Sequence, residues 1–308
     1  MAEHRRLIRV GVQLPEVERE VRWPELRAMA HAAEAVGLDS LWLGDHLLYR
    51  WPGQPARGPW EAWSLLAALA AATERIQLGP LVAATSFRSP ALLAKTAATI
   101  DEISGGRLIL GLGAGWNEVE YGAFGFPFEE RVGRFEEAFL IIRTLLREGA
   151  IDFEGRYYTA RDCELLPRGP RPNGPPLMVG SIGARMLRIT APHVDAWNAW
   201  HDWFGNRPAG VAPLLTSVAE AEAAAGRAPG SIERTVTALV SLPGAVGRVQ
   251  GDPEGEGTSP LSGDADALAA TLRDYAALGI GHVQLVLDPI TVGSIEALAP
   301  VLERLETR

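Results

Sequence analysis

"GGRLILGLGAGWNEVEY" occupies residues 105–121. A short apolar strand, Leu108–Leu112, runs into alternating glycines and then into an acidic stretch that starts a helix. Strand, glycines and helix are the parts of a dinucleotide-binding loop, which requires the spacing G-x-G-x-x-G. The glycines here are Gly111, Gly113 and Gly115, and Trp116 stands where the third glycine should fall. An indole there would block close helix–strand packing. The unit is also the fourth strand–helix pair along the chain, not the first. Glu136 and Glu137, at about the distance of the ribose-binding acid, lie beside a helical apolar stripe rather than at a strand end. The dinucleotide reading therefore fails. The glycines instead lie at a strand's C-terminal mouth. There they let a flat ligand approach the backbone, or simply close a tight turn.

Outward from this unit, β-rich runs alternate with longer helical patterns. Strands are predicted at Ile8–Leu14, Ser40–Leu43, Ile76–Val82, Leu108–Leu112, Leu177–Val179, Ala196–Asn198, Thr235–Leu242 and Val283–Leu287. "SPALLAKTAATIDEIS" has Ser89 at the N-cap and Pro90 at the first helical position. Leu92/Leu93, Thr96/Ala97 and Ile100 share one face of that helix. Further apolar stripes run through Phe135, Phe139, Ile142 and Leu145/Leu146, through Leu268, Leu272, Tyr275 and Leu278, and through Ile295, Leu298, Leu302 and Leu305. Such alternation implies parallel strands with right-handed crossovers. About eight repeats in a chain of 308 residues favour an α/β fold of the (β/α)8 barrel type, a single domain over residues 1–308. Two segments exceed the minimal repeat and read as insertion loops, 151–174 and 243–263. The second follows a strand's C-terminal end and reads either as a mobile lid or as a disordered surface loop.

Composition bounds the function. A net charge of −9 argues against nucleic-acid or anionic-membrane partners. The one cysteine, Cys163, excludes an intrachain disulfide and a cysteine-rich metal site. No apolar run is long enough for a secretory signal or a membrane span, so a cytoplasmic protein is expected. No H-x-H or H-x-x-x-H pair occurs, so no metal site is expected.

At this point a resemblance enters. The stretch from "EAWSLLAALAAATERIQLGPLVAATSFRSP" through "GGRLILGLGAGWNEVEYGAFGFPFEERVGRFEEA", with "GLDSLWLGDHLL", "FEGRYY" and "PPLMVGSIGARMLRITAPHVDAWN" in order, resembles the bacterial luciferase-like monooxygenase superfamily. It looks most like the branch of coenzyme F420 (8-hydroxy-5-deazaflavin)-dependent oxidoreductases. The resemblance covers about residues 8–200 and, more weakly, "YAALGIGHVQLVL". It implies a (β/α)8 barrel with a flavin or deazaflavin ring across the mouth. It also implies a non-prolyl cis peptide at the end of the third strand, here Leu81–Val82. Pro80 replaces the usual small polar residue beside it.

The resemblance assigns roles residue by residue. Asp45 and His46 follow the second strand in "LGDH", where deazaflavin enzymes place an Asp-His pair beside the ring. Histidine suits proton transfer near neutral pH. His46 is thus the expected acid/base and Asp45 a ring contact or orienter, against a plain capped loop with a salt-bridged histidine. Leu81, Val82, Gly115 and Trp116 look like ring or ribityl contacts. Tyr121 looks like a phosphate or ribityl contact. Gly180, Ser181 and Ile182 follow the fifth strand and are expected to open a helix, either one whose N-terminus binds the cofactor phosphate or one with Ser181 as a plain N-cap. Arg88 is either a contact for an anionic cofactor tail or a solvated arginine. His201 joins His46 near the mouth, whereas His193 and His282 precede strands and belong to the stabilising end. Sugar-phosphate dehydrogenases of this branch carry a catalytic glutamate where this chain has Trp116, which argues against sugar-phosphate oxidation.

Trp60, Trp63, Trp200 and Trp203 are expected near the mouth as an apolar substrate pocket, or as ordinary core and subunit contacts. Two activities follow. One is hydride transfer between reduced coenzyme F420 and an apolar small molecule. The other is an FMN-dependent monooxygenation that would need a partner flavin reductase. A vestigial flavin-binding protein is the third possibility. Family resemblance further implies a homodimer.

Overall fold

The computed structural model describes residues 6–247 and 258–306. In chain order the elements are β1 (Arg9–Gln13), α1 (Trp23–Ala35), β2 (Ser40–Leu43), α2 (Ala62–Ala72), β3 (Gln77–Pro80), β4 (Ala83–Ala84), α3 (Pro90–Ile103), β5 (Leu110–Gly113), α4 (Glu118–Phe124) and α5 (Arg131–Glu148). They continue with β6 (Ala150–Glu154), β7 (Thr159–Glu164), β8 (Leu177–Gly180), α6 (Ala184–Thr190), β9 (Ala196–Ala199), α7 (Pro208–Ala224), β10 (Glu233–Ser241), α8 (Ala265–Ala277), β11 (Ile280–Asp288), α9 (Val292–Glu296) and α10 (Ala299–Leu305). The regular strand–helix alternation makes this an α/β protein of the (β/α)8 type. The chain divides into two compact units, residues 1–42 with 180–308, and residues 43–179.

In the first unit β2, β1, β11, β10 and β9 pair in parallel, with Gly11 opposite Ser40, Val12 opposite Leu285, Thr237 opposite Gln284 and Asn198 opposite Thr235. Central parallel strands are covered on both faces, so β11 is buried at all but one of its positions. One face of these strands is polar. Ser40 Oγ lies 2.7 Å from His282 Nε2 and accepts the Trp42 indole N–H at 2.6 Å. Burial holds the His282 imidazole well below its ordinary pKa, so the neutral ring can accept the Ser40 hydroxyl proton. Gly11 is required here, because a Cβ would run into Ser40 Oγ.

In the second unit β4, β5 and β8 pair in parallel, Ala83 with Leu112 and Leu110 with Leu177. Phe135 and Phe139 stack at 5.6 Å on the buried face of α5, as the apolar period predicts. Arg107 ties the connections together by donating to the carbonyls of Ala70, Thr73, Ile76 and Ser104. Asp101, fully buried, takes a two-pronged pair from Arg171.

Several expectations change. Segment 151–174 is not a plain loop, because it contains the antiparallel hairpin β6–β7. Glu137 caps its turn by accepting N–H groups from Arg156, Tyr157 and Tyr158. Alternating burial along β6 marks a half-covered hairpin, a signal masked by the turn residues around it. Of the lid expected at 243–263, residues 248–257 lie outside the described residues. The last apolar stripe spans two short helices, with Leu298 between them. Leu278 ends α8 and is exposed rather than buried.

Candidate active site

β2 ends at Leu43, and the chain turns through Gly44 into Asp45 and His46. The two side chains go separate ways. Asp45 is buried and bound by Arg88, with Nη1 2.6 Å from Oδ2 and Nη2 3.0 Å from Oδ1. It also accepts the Ala84 N–H at 3.0 Å. Arg88 reaches Glu61 at 3.3 Å and lies over the Trp63 ring at 5.4 Å. Burial pushes the Glu61 carboxyl up, but the hydrogen bonds of Ser64 and Trp63 and the charge of Arg88 outweigh it and hold the group low. Arg88 is therefore not a solvated arginine. It is the partner of Asp45.

His46 turns to a different carboxylate. Its Nδ1 lies 2.8 Å from Glu120 Oε1. Glu120 comes from the first turn of α4, and its side chain is 1% exposed. Its Oε2 accepts the backbone N–H groups of Leu47 at 2.7 Å and Leu48 at 3.3 Å. Asn117 Nδ2 donates to Leu48 O at 2.8 Å. The His46 ring sits 4.8 Å from Tyr49 and edge-on to Trp116 at 5.5 Å, and Tyr49 stacks on Trp51 at 5.2 Å. Trp116 is half exposed and His46 partly so.

The Leu81–Val82 peptide is cis, at the position the resemblance implied. The Leu81 N–H donates to Leu43 O at 2.7 Å. With Ala84 held by Asp45, the segment that contains this bond is tied at both ends to the chain that presents His46. Gly111 allows β5 to lie against Pro80, whose carbonyl a Cβ would hit. Gly115 has φ +77°, and a Cβ there would collide with the Tyr121 hydroxyl. Both glycines thus have reasons within the fold itself.

Tyr121 is a correction. It was expected to touch phosphate or ribityl, but it is fully buried beside Phe87 and Phe128. Its hydroxyl donates to Ala114 O at 2.9 Å. Burial pushes its pKa up to about 12, so it is a neutral support for the glycine loop. Tyr121 and Glu120 are the two buried residues of α4. Trp63 is buried in α2, while Trp60 is half exposed before that helix.

In the first unit, Gly180, Ser181 and Ile182 do not open the helix. The N-cap of α6 is Gly183, and the helix begins at Ala184. The Ser181 hydroxyl accepts the Gly183 N–H at 3.3 Å, and Ser181 O accepts the Trp197 indole N–H at 2.7 Å. Trp200 packs on His201 at 4.5 Å and donates to Asp202 at 3.2 Å, while Trp203 is partly exposed. His201 is buried, with Nδ1 2.8 Å from Asp202. Burial raises the Asp202 carboxyl, but His201, Thr258 and Trp200 outweigh it and hold the group at about 2.

Glu120 was missed by sequence reasoning. The available signal was an acid in the turn after the glycine loop, a position equally suited to a helix-start residue. Among the described residues no group of three His, Cys, Asp or Glu is arranged to hold a metal ion. No described helix is long and apolar enough to cross a membrane.

Known proteins agree with this frame. The chain is 38% identical over 153 residues to an F420-dependent glucose-6-phosphate dehydrogenase of Amycolatopsis mediterranei, covering 48% of this chain and 45% of that one. It is 39% identical over 174 residues to the pyrimidine monooxygenase RutA of Methylobacterium radiotolerans, covering 54% and 44%. These matches span about half the length of the curated relatives. A solved F420-dependent secondary alcohol dehydrogenase, in complex with an F420–acetone adduct, superposes with a TM-score of 0.80 at 20% identity. That match covers 97% of this chain and 99% of the other, and it carries the fold. The luciferase-like monooxygenase model matches residues 7–243, and the chain belongs to that family.

Proposed function

We propose that this chain is a deazaflavin-dependent oxidoreductase. It would move a hydride between coenzyme F420 and an apolar small organic molecule, with His46 handling the accompanying proton. The observation that carries this reading is a partly exposed imidazole set edge-on to a half-exposed indole, His46 and Trp116, 5.5 Å apart. A flat tricyclic ring needs an apolar face to rest on, and its reduction chemistry needs a proton donor and acceptor alongside. The residues present fit that group. Trp116 and Val82 offer apolar surface, Gly115 offers backbone, and His46 offers a titratable nitrogen. When bound, the reduced deazaflavin supplies the hydride.

The chain's own part is to orient and to exchange a proton. His46 would hold the proton for a substrate carbonyl oxygen, or take it from a substrate hydroxyl in the reverse direction. Asp45, bound to Arg88 and Ala84, keeps the Leu81–Ala84 segment in place. The F420-dependent relatives support a deazaflavin. Trp116 stands against sugar phosphate as the substrate, because the resembling sugar-phosphate dehydrogenases carry a glutamate there. The pyrimidine monooxygenase relative, at similar identity, favours the second reading: FMN, oxygen and a partner reductase.

Titrating the purified protein separately with coenzyme F420 and with FMN, followed by cofactor fluorescence, tests this. Binding of F420 in preference to FMN is the expected result. Preference for FMN moves the assignment to the monooxygenase, with oxygen consumption as the assay. Binding of neither overturns both.

A further inference from the structure

Glu120 is an acid sealed inside the second unit, with every partner in view. Oε2 takes two backbone N–H groups, those of Leu47 and Leu48, and Oε1 faces His46 Nδ1 at 2.8 Å. A carboxylate only accepts hydrogen bonds, so the atom facing it must donate. In the neutral imidazole one nitrogen carries the proton and the other the lone pair. A proton on Nδ1 therefore makes Nε2 the basic nitrogen. The ring has little room to turn over, because Tyr49 and Trp116 stand 4.8 and 5.5 Å from it. The same short piece of chain clamps the His46 loop twice, through Glu120 on Leu47 and Leu48 and through Asn117 on Leu48 O.

We infer that Glu120 is a positioning residue: it fixes His46 in the Nδ1–H tautomer and so makes Nε2 the atom that accepts and returns the reaction's proton. The kinetic part of this inference rests on the oxidoreductase reading above; the tautomer part does not. A fixed tautomer matters because a histidine that populates both forms presents the lone pair at the working nitrogen only part of the time.

A merely structural role would consist of stapling the 46–48 loop to α4. Glu120→Gln separates the two roles. The amide keeps the size of the side chain, and its oxygen can still accept from Leu47. Its NH2 group, however, must then face Nδ1 and can only donate to it. That drives the His46 proton to Nε2. The reversed amide would set NH2 against two backbone N–H donors.

The experiment is a long-range proton–nitrogen correlation spectrum of protein labelled with 15N-histidine, without cofactor. It is recorded at a pH where the ring is neutral, and His46 is assigned through His46→Asn. The expected result is an Nδ1–H tautomer in the wild type and an Nε2–H tautomer in Glu120→Gln. An Nε2–H signal in the wild type overturns the inference whether or not the variant folds. An unchanged tautomer in a folded Glu120→Gln variant also overturns it.

With cofactor and substrate, Glu120→Gln should lower kcat by about 10²-fold, in the range of a lost acid/base contribution, and leave the KM for cofactor within about twofold. Adding Glu120→Gln to His46→Ala should cost nothing further. A further loss in that double variant would show that Glu120 acts other than through His46, and would overturn the kinetic part. If the tautomer inverts but His46→Ala retains full turnover, the oxidoreductase assignment of His46 fails while the positioning by Glu120 stands.

Discussion

Arg88 grips Asp45 with both guanidinium nitrogens, at 2.6 and 3.0 Å, and the carboxylate it grips is buried. Two residues that looked like surface and site contacts in the sequence are thus one internal pair. Breaking such a pair from one side leaves a buried charge without its counter-charge. Arg88→Ala should lower the unfolding free energy by about 3–5 kcal/mol, measured by urea denaturation. The loss in Asp45→Asn/Arg88→Ala should be well below the sum of the single losses. Additive losses would mean that the pair is not coupled.

The glycine loop makes a second prediction. Gly115 is left-handed, and its missing Cβ leaves room for the Tyr121 hydroxyl. Gly115→Ala should destabilise the protein by about 1–3 kcal/mol. Tyr121→Phe in the same chain should recover part of that, because it removes the oxygen that the new methyl group meets. No recovery would place the whole cost in the backbone conformation.

His46→Ala should reduce turnover by about 10²–10⁴-fold with little change in cofactor affinity or melting temperature. Unchanged turnover, measured by cofactor fluorescence under substrate saturation, removes His46 from the proton path.

Acid should act on Glu222, on the buried side of α7. Hydrogen bonds from Arg234 lower its carboxyl to about 2, working against burial and helped by the N–H groups of Ile232 and Gly230. A carboxyl held below its ordinary value of 4.5 stabilises the fold fully above that value and loses the contribution as pH falls towards about 2. Glu222→Gln should therefore flatten the pH dependence of the unfolding free energy in that window. It should also be less stable than wild type near neutrality. An identical slope in variant and wild type would show that other groups govern acid unfolding.

Much of the architecture was legible in the chain. Ser40–Leu43 was read as a strand with the bounds it has. The stripe of Phe135, Phe139, Ile142, Leu145 and Leu146 was read as the inward face of one helix, and all five are buried. Hairpin β6–β7 was not legible, because its strands are short, half exposed and surrounded by turn residues. The start of α6 was misplaced by a few residues because "GSIGA" offers two glycines and a serine, each able to precede a helix. Within the site, His46 was legible from its place after β2, and the cis Leu81–Val82 bond from the resemblance.

The sequence by itself determined the alternation of strands and helices, the apolar faces and the loop that carries Asp45 and His46. These follow from periodicity and local backbone preference, which act over a few residues. Only the tertiary structure decided which carboxylate serves which partner. Asp45 adjoins His46 in the chain, yet it pairs with Arg88. His46 instead meets Glu120, 74 residues away. A hydrogen bond depends on distance and direction in space, and neighbours in sequence at the end of a strand point to different sides. The pairing was therefore set when the loop of residues 45–48 and the turn into α4 came together within the second unit, and no local pattern in the chain records it.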